Sequence, residues 1–298
     1  MKRFYCAVLF SLAFFASALF AIDTPERVVR NPWIILRSFM TAYPDKITAL
    51  EYDNEIQQWY LMVSGTAVYW AEGRLLPRDL VDSWSGWRAY VDYLYPHDIP
   101  DPSTFSPELI ERLSHKVLAE RRKNATVYHP FFYGLLYGGT SRRHIEEHIR
   151  RFDYLGLRVS VHRDLVEKLQ KIETRLTEMA STDAEVQNFL DSLISIEGYN
   201  WRDIRDSANR SNHSWGIAID MLPRNWGKKN IYWNWISYWN DKWMLIPPDR
   251  RWMPPLSVIR VFESEGFIWG GKWILWDTMH FEYRPELLVL REWGYSGL

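Results

Sequence analysis

The chain has 298 residues and a formal net charge of -1, with 47% hydrophobic and 24% charged residues. That length allows one large domain or two modest ones, and the apolar content suffices for a self-supporting core. The near-zero charge excludes the global basic field on which nucleic-acid binding relies.

Met1 is followed by Lys2 and Arg3, then an apolar run over residues 4–20, with small residues at Ala16, Ala18 and Ala21. A basic start, an apolar stretch and a small-residue exit predict a secretory signal peptide over residues 1–21, with Ala16-x-Ala18 fitting the cleavage rule best. The alternative is an uncleaved anchor, and a run this short is at the bottom of the spanning range. Cys6 is the only cysteine and lies within the leader, so the mature chain is expected to hold no thiol and to rely on its core rather than on disulfides. No later segment reaches 18 uninterrupted apolar residues. The expectation is therefore an exported protein, periplasmic or extracellular, with no stable membrane association once the leader is removed.

Residues 22–120 read as a mixed α/β region of unknown role. Within them, 59–70 shows two β runs around a Ser64-Gly65 turn. Pro96, Pro100, Pro102 and Pro107 mark a loop. The spacing of Leu109, Ile110, Leu113 and Leu118 then predicts a helix over 107–122. Residues 121–298 form the second region. An aromatic segment at 128–137 leads through a Gly138-Gly139 turn to a charged helix over 141–152. Leu165, Leu169, Ile172 and Leu176 give the clearest helix, 163–180, and 185–195 reads as another. Beyond Glu197 come short strands at 218–221 and 279–283 with a helix at 257–264, so the class is α+β. Tryptophan is over-represented, with 17 in the chain, and Trp226, Trp233, Trp235, Trp239, Trp243 and Trp252 crowd one stretch. Packing is the expected fate of most of them; stacking on sugar rings is the alternative.

Two stretches carry chemistry: Ser211-Asn212-His213-Ser214-Trp215-Gly216-Ile217-Ala218-Ile219-Asp220 and Asp277-Thr278-Met279-His280-Phe281-Glu282. Gly216 allows a tight bend between His213 and Asp220, so a histidine on a turn and an aspartate on the next strand can face one point, with Ala218 keeping that strand face clear. His280 can add a ring nitrogen, and Asp277 lies three residues away. Two histidines and a carboxylate, with a second carboxylate as base, are what a catalytic zinc needs: three ligands and one position left open. A competing pattern, His144-Ile145-Glu146-Glu147-His148, fits an inverted zinc-peptidase motif. Arg142, Arg143, Arg150 and Arg151 bracket it, so a solvated helix with internal Glu–Arg pairing is the simpler account.

The motif Ser211-x-His213-x-x-Gly216-x-Ala218-x-Asp220 resembles the signature of the M15 zinc peptidases, the D-alanyl-D-alanine carboxypeptidases and L-alanyl-D-glutamate endopeptidases. Gly266-Phe267-Ile268-Trp269-Gly270-Gly271-Lys272-Trp273, followed by Asp277-x-x-His280-Phe281-Glu282, resembles its second half, and Gly198-Tyr199-Asn200-Trp201-Arg202 the segment bearing its substrate-facing arginine. The resemblance implies a small antiparallel sheet with flanking helices around Zn2+, held by His213, Asp220 and His280. It also implies Asp277 as general base, Arg202 on the substrate carbonyl or carboxylate, and Ser211 in substrate binding. Peptidoglycan stem peptides are the partner it implies. Aspartate rather than glutamate at 277 is more like the endopeptidase and endolysin branch, which leaves the cleaved bond open. Two other classes stand beside this reading. One is a non-catalytic wall-binding module that keeps the fold. The other is a structural metal protein, which such a site would serve poorly without cysteines.

Overall fold

The computed structural model describes residues 31–90, 93–204 and 209–295. The predicted leader, with Cys6, lies outside the described residues. Helix α1 (Pro32–Ala42), capped by the Asn31 side chain, leads into a four-stranded meander: β1 (Ile47–Asp53), β2 (Gln58–Val63), β3 (Thr66–Ala71) and β4 (Arg74–Leu76), paired in that order and all antiparallel. The Ser64-Gly65 turn expected from sequence joins β2 to β3, with both φ angles positive (48° and 80°), as two-residue hairpins prefer.

The helix predicted over 107–122 is two: α2 (Pro107–Arg112) and α3 (His115–Asn124). Ser114 takes an extended conformation between them, at the start of the second, so one apolar stripe is carried by two short helices. After α4 (Phe131–Tyr137), which Gly138 ends in the left-handed region, α5 spans Arg142–His148. The charged helix predicted to run to 152 therefore stops early. Residues from Ile149 onward form β5 (Ile149–Tyr154), paired with β6 (Leu157–His162) across a Leu155-Gly156 turn of positive φ. Tyr154, Val159 and Val161 are buried from this hairpin, and period-two burial outweighs the charges that suggested a helix. Helix α6 (Arg163–Ala180) matches its prediction residue for residue and buries Leu165, Leu169, Ile172 and Leu176. The next helix, α7 (Ala184–Ser192), ends three residues before the predicted limit because Leu193 starts β7 (Leu193–Glu197).

The second sheet is antiparallel in the order β7, β8 (Ala218–Pro223), β10 (His280–Tyr283), β9 (Phe267–Trp269). Between β8 and β9 lie α8 (Trp233–Ser237) and α9 (Leu256–Ser264); α10 (Pro285–Glu292) closes the chain. The sheet has two unlike faces. Ile219, Met221, Phe281 and Trp269 point to the core, where Phe262 of α9 stacks on Phe281 at 4.1 Å between centroids. Asp220, His280 and Glu282 occupy the alternate positions, on the other face.

One buried apolar cluster takes in residues from α1 to α10. Polar ties reinforce it: the Tyr43 hydroxyl donates to the buried Glu286 (2.9 Å), and Arg284 to Glu286 and to the Tyr90 carbonyl. The Trp269 amide donates to the Tyr95 hydroxyl (3.0 Å). A second cluster joins α2 and α3 to the tryptophan-rich stretch through Leu109, Leu113, Trp233, Trp243 and Trp276. Packing is thus the fate of most of the crowded tryptophans; Trp226 and Trp239 are the exceptions, 38% and 68% exposed. Among the described residues no helix is long and apolar enough to cross a membrane.

Candidate metal centre

His213 lies in a single 3-10 turn, Asn212–Trp215, at whose start the Ser211 hydroxyl accepts the His213 amide N–H (3.3 Å). Trp215 anchors the turn from below, edge-on to Tyr133 at 5.6 Å. Gly216 ends it at φ +68°, and an added Cβ there would sit 2.6 Å from the His162 backbone nitrogen, so only glycine fits. The chain then enters β8, whose register sets Asp220 opposite His280 and Ala218 opposite Glu282. Ala218 is small, which leaves room on that face for the glutamate.

The structure brings His213, Asp220 and His280 together, buried, with one ligand atom of each within 4.8 Å of the others. Asp220 lies between the rings: Oδ2 is 3.2 Å from His213 Nε2 and Oδ1 is 2.8 Å from His280 Nδ1. The outward nitrogen of each ring is fixed. His213 Nδ1–H donates to the Gly198 carbonyl (2.7 Å), and His280 Nε2–H to Glu282 Oε2 (3.1 Å). Gly198 comes this close because it has no side chain; a Cβ there would lie 2.1 Å from the Ser160 carbonyl oxygen. Glu282 is itself held by the Asn212 amide (2.7 Å).

These anchors decide tautomers. With its proton on Nδ1, His213 presents a lone pair at Nε2, and that buried nitrogen has no hydrogen-bond partner. A lone pair 3.2 Å from a carboxylate oxygen is repulsive unless positive charge lies between them. The His213 Nε2, Asp220 and His280 Nδ1 donors, each ring backed by an acceptor, are the set and the second layer that zinc favours. The donors fit the metal.

Charge ties these groups to one another. Burial alone would raise Asp220, but His213 and then His280 hold its carboxyl far below the usual range. Burial opposes charge on His280 too, and Asp220 and Glu282 outweigh it, raising the imidazole well above its ordinary value. Asp277 moves the other way: burial, then the Asp220 charge, push it up to about 8. Although the residue as a whole is only partly buried, its Oδ1 is fully enclosed and without a hydrogen-bond partner. Asp277 is held by its amide on the Gly270 carbonyl (3.0 Å) and by a bridge to Tyr232, while Thr278 is pinned to the Ile231 carbonyl (2.9 Å).

Arg202 lies at the surface, near enough for its charge to lower Asp277. Its backbone is fixed by Ser214, whose hydroxyl accepts the Arg202 amide (2.9 Å) and donates to the Arg202 carbonyl (2.7 Å). Ser211 is buried and serves as a helix cap, a local role visible beside the substrate role that the resemblance implied. The residues missed from sequence are Gly198, Asn212, Ser214 and Glu282. Glu282 stands two residues from His280, a strand spacing that places both side chains on one face, and that signal could have found it. The competing His144–His148 motif is not part of the cluster: α5 packs against the turn that carries His213, and its Arg142 pairs with Glu146 at 2.8 Å. The sole candidate metal cluster among the described residues is the His213, Asp220 and His280 set.

Comparison with known proteins adds two findings. Residues 205–283 match a family model described as D-alanyl-D-alanine carboxypeptidase. Residues 35–92 match one described as a domain of unknown function. No curated protein and no solved structure matches the chain. The first match spans His213, Asp220, Asp277 and His280, and it supports a peptidase with a metal-binding His-Asp-His cluster.

Proposed function

We propose that this chain is an exported zinc peptidase that hydrolyses bonds in peptidoglycan stem peptides. The observation that carries the reading is the buried His213–Asp220–His280 cluster with the unpartnered Asp277 Oδ1 beside it, inside a segment that matches a peptidase family. A site that only bound wall material would have no use for a strained, partnerless carboxylate.

His213 Nε2, Asp220 and His280 Nδ1 would hold the zinc, which when bound supplies a Lewis acid that acidifies water and polarises a carbonyl. Asp277 is the general base: its Oδ1 takes the proton of the attacking water and returns it to the leaving amine. Burial and then the Asp220 charge hold its carboxyl up to about 8, and a neighbouring dication would draw it down toward ionisation near neutral pH. Arg202 faces the developing oxyanion or a substrate carboxylate and stabilises the charge that appears there. Aspartate at 277 resembles the L-alanyl-D-glutamate endopeptidase branch, whereas the matching family model is described as D-alanyl-D-alanine carboxypeptidase, so both cuts are candidates.

The test uses residues 22–298, assayed for bound metal and incubated with peptidoglycan fragments before mass spectrometry. A cut after L-Ala identifies the endopeptidase and release of D-Ala the carboxypeptidase. If neither occurs with zinc supplied, the chain is not this enzyme.

A further inference from the structure

A second concave site lies on the tryptophan-rich stretch after β8. It is a cavity of about 340 Å³ whose walls include Asn230, Trp239, Asn240, Lys242, Leu245 and Arg250. Trp239 is 68% exposed and Tyr238 beside it 56%, the most exposed aromatics of that stretch. The backbone beneath them is rigid: the Trp239 and Asn240 amides both donate to the Ile236 carbonyl (3.1 and 2.9 Å), and the Trp243 amide to the Asn240 carbonyl (3.1 Å). Across the cavity the Asn230 amide donates to the Arg250 carbonyl (2.9 Å), which ties the two walls together.

The chemistry of these walls is specific. A solvent-facing indole on an ordered turn offers a flat apolar face, two carboxamides offer donors and acceptors, and two cations line the cavity with no acidic residue among the described lining residues. Leu245 adds an apolar surface large enough for a methyl group. Nucleotides would suit the indole, but their phosphates call for a cradle of backbone N–H groups at the start of a full helix, and the helix starts among the lining residues are single 3-10 turns. A pyranose ring presents C–H bonds to an aromatic face and hydroxyls to amides.

We propose that this groove is a saccharide site that takes a run of N-acetylated hexosamines, the ring on Trp239, the acetamido methyl toward Leu245 and the hydroxyls on Asn240 and Lys242. Its position gives the site a use. Asn230 lines the groove, Ile231 accepts both hydrogen bonds of Thr278, and Tyr232 bridges Asp277. The groove wall at Asn230 thus lies two residues, about 7 Å of chain, from Tyr232, whose bridge partner is the candidate catalytic base. A glycan held there keeps an attached stem peptide beside the metal centre and raises its local concentration. Binding of the glycan itself needs neither metal nor hydrolysis, so this inference goes beyond the peptidase reading and can fail independently of it.

The experiment is calorimetric titration of the mature chain with a tetramer of β-1,4-linked N-acetylglucosamine, with peptide-free glycan strands, and with maltotetraose, which lacks acetamido groups. The N-acetylated ligands are expected to bind and maltotetraose not to. Trp239→Ala should weaken binding by at least about fivefold, the lower end of what loss of one aromatic stacking platform does. Trp239→Phe should retain part of the affinity, and Lys242→Ala should weaken it independently. No binding of either N-acetylated ligand, equal binding of maltotetraose, or a Trp239→Ala affinity within twofold of the parent would overturn the proposal. Hydrolysis of soluble stem peptide by the unmodified chain is scored separately, so loss of one reading is told apart from loss of the other.

Discussion

Replacing Glu282 by glutamine tests whether the second layer of the centre is as tightly set as the distances imply. Glu282 is buried, accepts His280 Nε2–H at 3.1 Å and the Asn212 amide at 2.7 Å, and stands 3.7 Å from Arg284. Burial would raise its carboxyl, yet the hydrogen bond and charge of His280, followed by Arg284, hold it below its ordinary value. Glutamine keeps the volume and an amide oxygen that can accept both bonds, so the fold should persist. It removes the negative charge that fixes the His280 proton on Nε2 and makes Nδ1 a stronger donor. Loss of such an outer partner typically weakens metal affinity about 10–100-fold, or about 1.4–2.7 kcal/mol. Competition against a chromophoric zinc chelator, with thermal unfolding of both proteins in parallel, measures this directly. A Glu282→Gln affinity within twofold of the parent would refute the tautomer argument, whatever happens to activity.

Three further outcomes follow from the geometry. Asp277→Asn should keep the metal and lose hydrolysis by about 10²–10⁴-fold, the range for removal of a general base; full activity would remove Asp277 from that role. Gly216→Ala places a side chain at φ +68° and 2.6 Å from the His162 nitrogen, so urea unfolding should show a loss of about 2 kcal/mol or more; a neutral result would mean that the turn yields. His162 caps α6, its Nδ1 accepting the Asp164 amide while Nε2–H donates to the Tyr137 carbonyl. Burial lowers it to about 4, against Asp164, with Lys46 and His148 also facing it. Below pH 6.5 the unfolded chain binds the proton that the folded one refuses, so stability is full above 6.5 and is lost as pH falls toward 4. The loss is on the order of 3 kcal/mol at most. His162→Asn retains a capping oxygen without the titration, and its stability between pH 6.5 and 4 should fall less steeply; parallel curves would refute the assignment.

What could be read from sequence depended on whether the signal was local. Helix α6 was legible to the residue because Leu165, Leu169, Ile172 and Leu176 repeat on a polar background. The β2–β3 hairpin was legible because Ser64-Gly65 is a turn in its own right. The β5–β6 hairpin was not: Arg150 and Arg151 face water on a strand as readily as on a helix, and only pairing with β6 decides. The cluster of His213, Asp220 and His280 followed from motif spacing, since β8 and β10 pair in the register that the spacing needs. Gly198 and Asn212 escaped notice because their contributions, a backbone carbonyl and a hydrogen bond to a carboxylate, depend on how three segments meet. Periodicity in any one segment does not record that.

The arrangement also explains why the two motifs must be brought together by a sheet rather than by a loop. The site gathers three carboxylates, Asp220, Asp277 and Glu282, and such a group cannot remain charged in a buried place without compensation. Arg284, 3.7 Å from Glu282, and the raised His280 meet part of that need. The rest is visible at Asp277, pushed up to about 8 by burial and by the Asp220 charge. A flexible scaffold would relieve this strain by letting Asp277 turn to solvent. Here the backbone holds: the Asp277 amide is fixed to Gly270, its neighbour Thr278 donates twice to Ile231, and the next strand is locked opposite Asp220. The fold thus keeps a partnerless carboxylate aimed at a cluster that favours a divalent cation. The pairing of β8 with β10 sets Asp220 against His280, and the bridge from Tyr232 to Asp277 sets the base beside them.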